Sequence, residues 1–439
     1  MNKIVVIGAG PSGMMAAIRS SQLASEVALI EKNPVLGKKL LLCGKGRCNL
    51  TNACDLDSFL QRFFGNGEFL RDAFGKFFNK ELMSFFEQRG LKLKVERQLR
   101  VFPVTDRSNS VLEILKKELI KNKVKIIYNG VVKDILIKDG KVSGVLLKEK
   151  DISNLSSCGS PRGEAEGLTA GSHRMTEGFI PADRVILATG GVSYSFTGST
   201  GEGIDIARKT GHRIVVLRSG LVPLEVRGNY PKKLEGLALK NIRFKISSSK
   251  KHFYSEIGEL MWTANGISGP LIISLSAKIG DWLQKDKHLY IGIDLKPALS
   301  YEQLDSRLLR EFKANPRMIL KNILKELLPQ RLIDVFLQIS KINPDKQASH
   351  ITQEERKNII SLFKEFRMEI SGLAPIEQAM VTRGGVSLKD INPRTMESRI
   401  IKGLYFAGEV IDIAADTGGF NLQAAFSTGY LAGESAALN

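Results

Sequence analysis

The sequence predicts an α/β fold: a Rossmann-like dinucleotide-binding domain assembled from both ends of the chain, with a second domain inserted into it. Three observations carry this. A β-branched run, Lys3–Ile7, feeds into Gly8-Ala9-Gly10-Pro11-Ser12-Gly13, a glycine spacing that opens a helix. The next strand ends on Glu31, 18 residues beyond Gly13, where an acid can bind the hydroxyls of a ribose. Short strands alternate with helices up to about residue 191, stop, and resume near Gly384, as an insertion requires.

The elements follow in order. Residues 3–7 are apolar and bounded by glycine, the mark of a buried parallel strand. Gly13 to about Ala24 reads as a helix and Val27–Glu31 as a second strand, completing a βαβ unit. A helix is expected over about Ser110–Asn122, then strands at Val124–Tyr128, Val131–Ile137 and Val142–Lys148. Ser, Gly and Thr dominate 151–178, which reads as an expanded, mobile hairpin loop; Cys158 and His173 inside it read as incidental. Arg184-Val-Ile-Leu-Ala-Thr is a strand running into Gly190-Gly191. The first domain is therefore expected to comprise 1–191 and 384–439, and the insert 192–383. Within the insert a β part spans about 192–298. A helical part spans about 299–370, because apolar positions recur at three and four (Leu304, Leu308, Phe312; Ile319, Ile323, Leu327).

Composition bounds the function. In 439 residues, 43% hydrophobic and 25% charged residues exclude a disordered chain and a disulfide-stapled miniprotein. Cys43, Cys48 and Cys54 lie close together, but no second ligand cluster answers them and the five histidines are scattered, so no metal is expected. No run of 18 apolar residues occurs and no cleavage site follows the apolar N-terminus, so no membrane contact is expected and the expected location is cytoplasmic. The balance of 64 Lys+Arg against 46 Asp+Glu is +18, which favours a phosphate-bearing partner. That charge is uneven. Between Arg208 and Lys251 stand twelve cations: Arg208, Lys209, Arg213, Arg218, Arg227, Lys232, Lys233, Lys240, Arg243, Lys245, Lys250 and Lys251. They meet only Glu225 and Glu235 there, a local excess of +10. Tyr230, Phe244, Phe253 and Tyr254 are interleaved, as in a surface that binds RNA by charge and stacking. The alternative is a solvated β face over core aromatics.

Further motifs carry a resemblance. Gly403-Leu-Tyr-Phe-Ala-Gly-Glu409 resembles the last strand of two-dinucleotide-fold flavoproteins, whose acid contacts the flavin ribityl chain. Val185-Ile-Leu-Ala-Thr-Gly-Gly191 resembles their mid-chain strand and glycine pair. Gly44-Lys-Gly-Arg-Cys-Asn-Leu-Thr-Asn52, Thr197-Gly-Ser-Thr-Gly-Glu-Gly203, Gly266-Ile-Ser-Gly-Pro270, Thr382-Arg-Gly-Gly-Val386, Thr395-Met-Glu-Ser398 and Thr417-Gly-Gly-Phe-Asn-Leu-Gln423 complete the set. Together they resemble the bacterial FAD enzymes known as the aminoacetone-oxidase or bile-acid-reductase-like family. Some of its members act as dihydrouridine synthases on large-subunit ribosomal RNA. One departure is Ala264-Asn265, where that family more often has His or Asp and then an aromatic.

The resemblance implies FAD as cofactor, NAD(P)H as transient electron donor, ribosomal RNA as partner, and an insert with a β-barrel-like and a helical part. Expected FAD contacts are Gly8, Gly10, Ser12, Gly13, Glu31, Lys32, Arg47, Cys48, Asn49, Val132, Thr189, Gly190, Gly408, Glu409, Gly418, Gly419, Asn421 and Leu422. Reducing a C=C bond conjugated to a carbonyl needs a hydride at one carbon and a general acid at the other. Cys48 is the candidate acid; neighbouring Lys38, Lys39, Lys45 and Arg47 would favour its thiolate, and a packed residue beside the flavin is the equal alternative. Arg47 is read as a phosphate or flavin ligand or as an ion-pair arginine, and Asn49, Thr51 and Asn52 as loop-fixing hydrogen bonders or ligands. Asp412 and Asp416 are read as solvated loop acids, with substrate-facing acids as the alternative. The function expected is reduction of a uridine in large-subunit rRNA to dihydrouridine; the alternative is a small enone or amine metabolite.

Overall fold

Five parallel strands form the sheet that the opening βαβ pattern predicts. Their order across the sheet is Leu404–Phe406, Arg184–Leu187, Lys3–Ile7, Glu26–Glu31 and Lys125–Tyr128. Strands from both chain ends thus lie side by side. In this computed structural model, residues 2–23, 25–148, 178–249, 251–286 and 288–439 are described. The loop expected over 151–178 lies outside them, Gly178 apart, as does Lys250.

The first helix runs Pro11–Gln22, starting two residues before the expected Gly13 because proline is at home at the first helical position. The last helix, Phe420–Leu438, packs along it. A Cβ on Gly429 would lie 2.2 Å from the Ser12 carbonyl oxygen, and one on Gly433 2.4 Å from that of Ala16. Only glycine lets the two backbones approach so closely. Arg19 pairs with Glu434 further along the same seam.

Residues 53–103, for which no element was expected, hold three short helices, at 56–60, 71–76 and 79–87, and two strands, of which Arg100–Pro103 lies between Thr51–Asn52 and Leu93–Val95 and pairs with both. Their core is a phenylalanine cluster, with Phe59 edge-on to Phe74, Phe78 and Phe420. Such a cluster has no simple sequence period, since its members come from three helices and the link at Phe78.

The chain divides into one unit of Met1–Arg218 with Val381–Asn439 and a second of Ser219–Met380. Residues 192–218, expected in the insert, therefore belong to the first unit. The physical reason is packing: Ile204, Ile206 and Ala207 of helix Glu202–Lys209 are buried in the first hydrophobic core.

The second unit is a closed six-stranded barrel, ordered Leu224–Val226, Gly266–Ser268, His252–Thr263, Ala238–Ser247, Leu289–Asp294 and Phe366–Leu373. Helices Tyr301–Ala314, Gln330–Ser340 and Gln353–Lys364 share its core. The helical part stops at Lys364 rather than 370. Phe366, Met368 and Ile370 are buried at every second position, which is strand periodicity, and their strand closes the barrel.

His212 is a buried polar feature of the first unit. Its Nε2 lies 2.7 Å from Ser398 Oγ, its Nδ1 3.0 Å from Thr210 Oγ1, and burial pushes its pKa below the ordinary 6.5. The unfolded chain then binds a proton that the folded one resists, so stability is lost as pH falls below about 6.5. Urea midpoints at pH 7.5 and 5.5 should show that loss, and His212→Gln should shrink the difference.

Candidate active site

The glycine loop is shaped by two demands of the protein itself. Gly8, at φ +97°, backs onto Ala188, whose carbonyl oxygen a Cβ would approach to 2.7 Å. A Cβ on Gly13 would lie 1.8 Å from the Gly8 carbonyl oxygen. Gly10 is different. Its φ of −76° and ψ of −177° suit any residue, and its missing Cβ would meet nothing within 4 Å. Among the described residues no packing accounts for a glycine there, which suits the close approach of a pyrophosphate. The helix starting at Pro11 has no side-chain cap, which leaves the amides of its first turn and the positive end of its dipole for that phosphate.

Glu31 closes the far side. It is 8% exposed; Oε2 accepts from the Ala9 amide (2.9 Å) and Oε1 from the amide and side chain of Asn33 (2.9 and 2.7 Å). Oε1 has both lone pairs engaged by Asn33, and Oε2 keeps one for a ribose hydroxyl. The Gly130 amide donates to the Glu31 carbonyl (3.0 Å), which brings buried Val132 to the same strand end. Two of the three donors of the Lys32 ammonium are spent within the protein, on Thr200 Oγ1 (2.6 Å) and Glu202 Oε2 (2.7 Å).

Glu409 organises the middle of the site. Lys39 Nζ donates to its Oε2 (2.6 Å), while Ser193 Oγ (2.9 Å) and the Thr382 amide (2.6 Å) donate to Oε1. Thr382 Oγ1 in turn accepts from the amides of Val192 and Ser193. Lys39, Ser193 and Thr382 were not expected here; Thr382 opens a motif noted above, but nothing in its spacing tied it to Glu409. Gly408, at φ +75°, leaves room for Ser12 Oγ, which a Cβ would approach to 2.5 Å. The Thr189 backbone lies against Gly8, while its buried Oγ1, without a hydrogen-bond partner among the described residues, is aimed at Gly203, where a Cβ would lie 1.9 Å from it.

The segment Asn49–Asn52 acts as a clamp. With its amide oriented to satisfy both groups, Asn49 donates to the Thr51 carbonyl and accepts from the Gly419 amide, each at 3.1 Å. Thr51 Oγ1 bonds Gln423 Oε1 (2.6 Å), and Asn52 Nδ2 the Gly418 carbonyl (3.2 Å). Gly419, at φ +96°, sits against Thr51, whose carbonyl oxygen a Cβ would approach to 2.4 Å. Asn421 spends its side chain on the backbone of Ala415 and Asp416, so only its amide, with those of Phe420 and Leu422, is left at the helix start.

These parts fit FAD. Gly429 lies opposite Ser12 and Gly433 opposite Ala16, so the last helix starts about 12 Å ahead of the first at 1.5 Å per residue. The two N-termini, one following the glycine loop and the other following Gly418-Gly419, are separate positive dipole ends of the kind that the pyrophosphate and the flavin edge of FAD would use when bound.

Two expected residues are differently placed. Arg47 is ion-paired with Glu96 (2.5 Å) and Asp106 (2.6 Å) and lies over the Phe102 ring (4.2 Å), which is the ion-pair reading. Cys48 is 0% exposed, at φ +62°, and burial pushes its thiol well above the ordinary value, with a smaller push from Cys43. The expected cation-flanked thiolate is not formed, because Lys39 is committed to Glu409 and Arg47 to two carboxylates. Asp412, read as solvated, is half-buried: burial raises its pKa against the lowering effect of the Gly384 amide and Asn66.

Nor is the cationic segment one patch. Arg208 pairs with Asp205, Lys209 with Asp134 and Arg213 with Asp390, all within the first unit, to which Arg218 also belongs. In the insert, Lys240 and Arg243 point outward between buried Leu239, Ile242, Phe244 and Ile246. Phe244 is core; Tyr254 is 59% exposed. Among the described residues Lys232, Lys240 and Arg243 have no ion-pair partner, Lys233 bonds Gln338, Arg227 and Lys245 have partners at 3.5 Å, and Lys251 lies over Trp282.

Comparison with known proteins agrees with this architecture. Residues 2–158 match the HI0933-like protein Rossmann domain, and 218–381 the HI0933-like protein barrel and H2TH domain. The chain is 32% identical over 440 residues to the 3-dehydro-bile acid delta(4,6)-reductase of Clostridium scindens, covering 100% of this chain and 99% of that protein. It is 28% identical to the ribosomal RNA dihydrouridine synthase of Escherichia coli, covering 97% and 96%. Among solved structures, the 3-ketosteroid-delta4-(5alpha)-dehydrogenase of Rhodococcus jostii RHA1 shares the fold at 13% identity, with a TM-score of 0.51 over 100% of this chain and 97% of the other. With its glycine loop, Glu409 network and paired helix N-termini, the chain belongs to the HI0933-like family of flavin-dependent oxidoreductases.

Proposed function

We propose that this flavoenzyme reduces a uridine of large-subunit ribosomal RNA to dihydrouridine, with NAD(P)H as the electron source. The observation that carries the reading is charge. The chain bears +18, and FAD does not account for it, because its phosphates are met by glycine backbone and a helix dipole. Lys232, Lys240 and Arg243 of the insert, outward and without carboxylate partners among the described residues, suit a polyanion. The near full-length relatives named as ribosomal RNA dihydrouridine synthases support the same substrate.

When bound, FAD supplies the hydride to the carbon β to the carbonyl. The chain supplies the proton for the other carbon. We assign that proton to Asp412. Its loop leads into the Thr417–Gln423 segment, Asn66 and the Gly384 amide hold its two oxygens (3.1 Å each), and burial favours the protonated form. Cys48 offers no surface to a substrate.

A second reading has its own observation, the 32% identity to a protein named as a bile-acid reductase. A cyclic enone offers the same conjugated double bond as uracil, so the proton and hydride roles are unchanged. Deleting the gene and measuring nucleosides of the large-subunit rRNA by mass spectrometry separates the two: loss of dihydrouridine is expected, and an unchanged level would sink the RNA reading.

A further inference from the structure

The outer face of the barrel carries a built feature that flavin chemistry does not use. Strands Leu289–Asp294 and Phe366–Leu373 pair with Tyr290 opposite Glu369 and Gly292 opposite Arg367. Alternate residues point the same way, so these four share the outward surface. The neighbouring strand sets Lys245 beside Gly292. Arg367 reaches diagonally and lies over the Tyr290 ring, 4.0 Å from its centroid. It is exposed, and among the described residues no carboxylate is within ion-pair distance of it. Gly292 adds no side chain of its own and is covered by the Glu365 side chain, which a Cβ there would approach to 2.7 Å, so the surface offered to a ligand is the exposed Arg367 itself. Glu369 Oε1 sits 3.2 Å from His288 Nδ1 and 3.5 Å from Arg227 Nη1. Arg227, Tyr230, Tyr290, Arg367 and Glu369 line one surface pocket.

Each part has a chemical meaning. A guanidinium already layered on a ring presents a flat, weakly hydrated cationic face, on which a nucleobase stacks well. A carboxylate at its edge accepts N–H donors, which the base edges of RNA carry. An exposed arginine and an imidazole beside it suit a phosphate. A peptide partner would use the charges and leave the layered face without a matching plane.

We propose that this pocket is a subsite for one unpaired nucleotide of the RNA, with the base stacked on Arg367, its N–H edge on Glu369 and its phosphate on Arg227. The assignment rests on the RNA reading above.

The test uses the full-length, FAD-loaded protein and a fluorescein-labelled unstructured RNA 12-mer, with anisotropy followed against KCl. Wild type should bind with a negative slope of log K against log salt. Arg367→Ala, Arg367→Lys and Tyr290→Leu should each bind roughly tenfold more weakly. Arg367→Lys should keep the wild-type slope, because it keeps charge and loses only the planar stack. Arg227→Ala should flatten the slope by about one. Salt-dependent binding by wild type with unchanged affinity in the Arg367 and Tyr290 variants would overturn the subsite and leave the RNA reading standing. Full rescue by Arg367→Lys would overturn the stacking role. Absence of salt-dependent binding by wild type would overturn the RNA reading itself.

Discussion

Replacing Gly10 with alanine is expected to leave a folded protein that no longer takes up FAD. The two effects separate because the position is unusual. At φ −76° and ψ −177° an alanine is unstrained, and its methyl group meets no protein atom within 4 Å. Folding stability should therefore change by less than about 0.5 kcal/mol, or rise slightly from the stiffer unfolded chain. The methyl group projects where a pyrophosphate must approach the backbone, so FAD affinity should fall by roughly 100-fold or more. Gly13→Ala is the contrasting case: its Cβ would lie 1.8 Å from the Gly8 carbonyl oxygen, so it should lose fold and cofactor together. Flavin absorbance after gel filtration, with a urea titration of each variant, reads both. A yellow Gly10→Ala protein of wild-type affinity would refute the pyrophosphate assignment.

The second large effect is expected at Asp412. Asp412→Asn removes the proton and keeps a similar shape, so turnover should fall by about 10² to 10⁴ while FAD stays bound. Because burial raises this carboxyl's pKa, wild-type turnover should decline as pH rises through it, and the variant should lack that limb. Cys48→Ala should behave oppositely. Removing a fully buried thiol costs about 1 kcal/mol of stability and should leave kcat within a few-fold of wild type. Stopped-flow reoxidation of the reduced flavin by substrate checks both; full turnover in Asp412→Asn would remove it as the proton donor.

Why these two residues read so differently in the sequence is physical. Gly8, Gly10, Gly13 and Glu31 form one strand–turn–helix–strand unit, so spacing alone implies their proximity. Asp412 and Cys48 depend on burial, which a linear pattern does not report. Cys48 stands among cations in sequence, but Lys39 turns to Glu409 and Arg47 to Glu96 and Asp106. The same limit applies to Lys39, Ser193 and Thr382, which come from distant segments and meet only around Glu409.

By itself the sequence indicated the discontinuous α/β domain and the inserted second domain, because local periodicity and a short glycine motif encode them, and the flavin class followed from the resemblance of further motifs to those of flavoproteins. Tertiary structure decided where the domain ends, since Ile204 and Ala207 pack into the first core although the alternating pattern stops at 192. It also divided the cationic run: Arg208, Lys209 and Arg213 are matched by aspartates of the first unit, whereas the barrel presents Lys240 and Arg243 outward without ion-pair partners among the described residues. Net charge is a sum over residues; whether a cation is available depends on which carboxylate the fold places beside it.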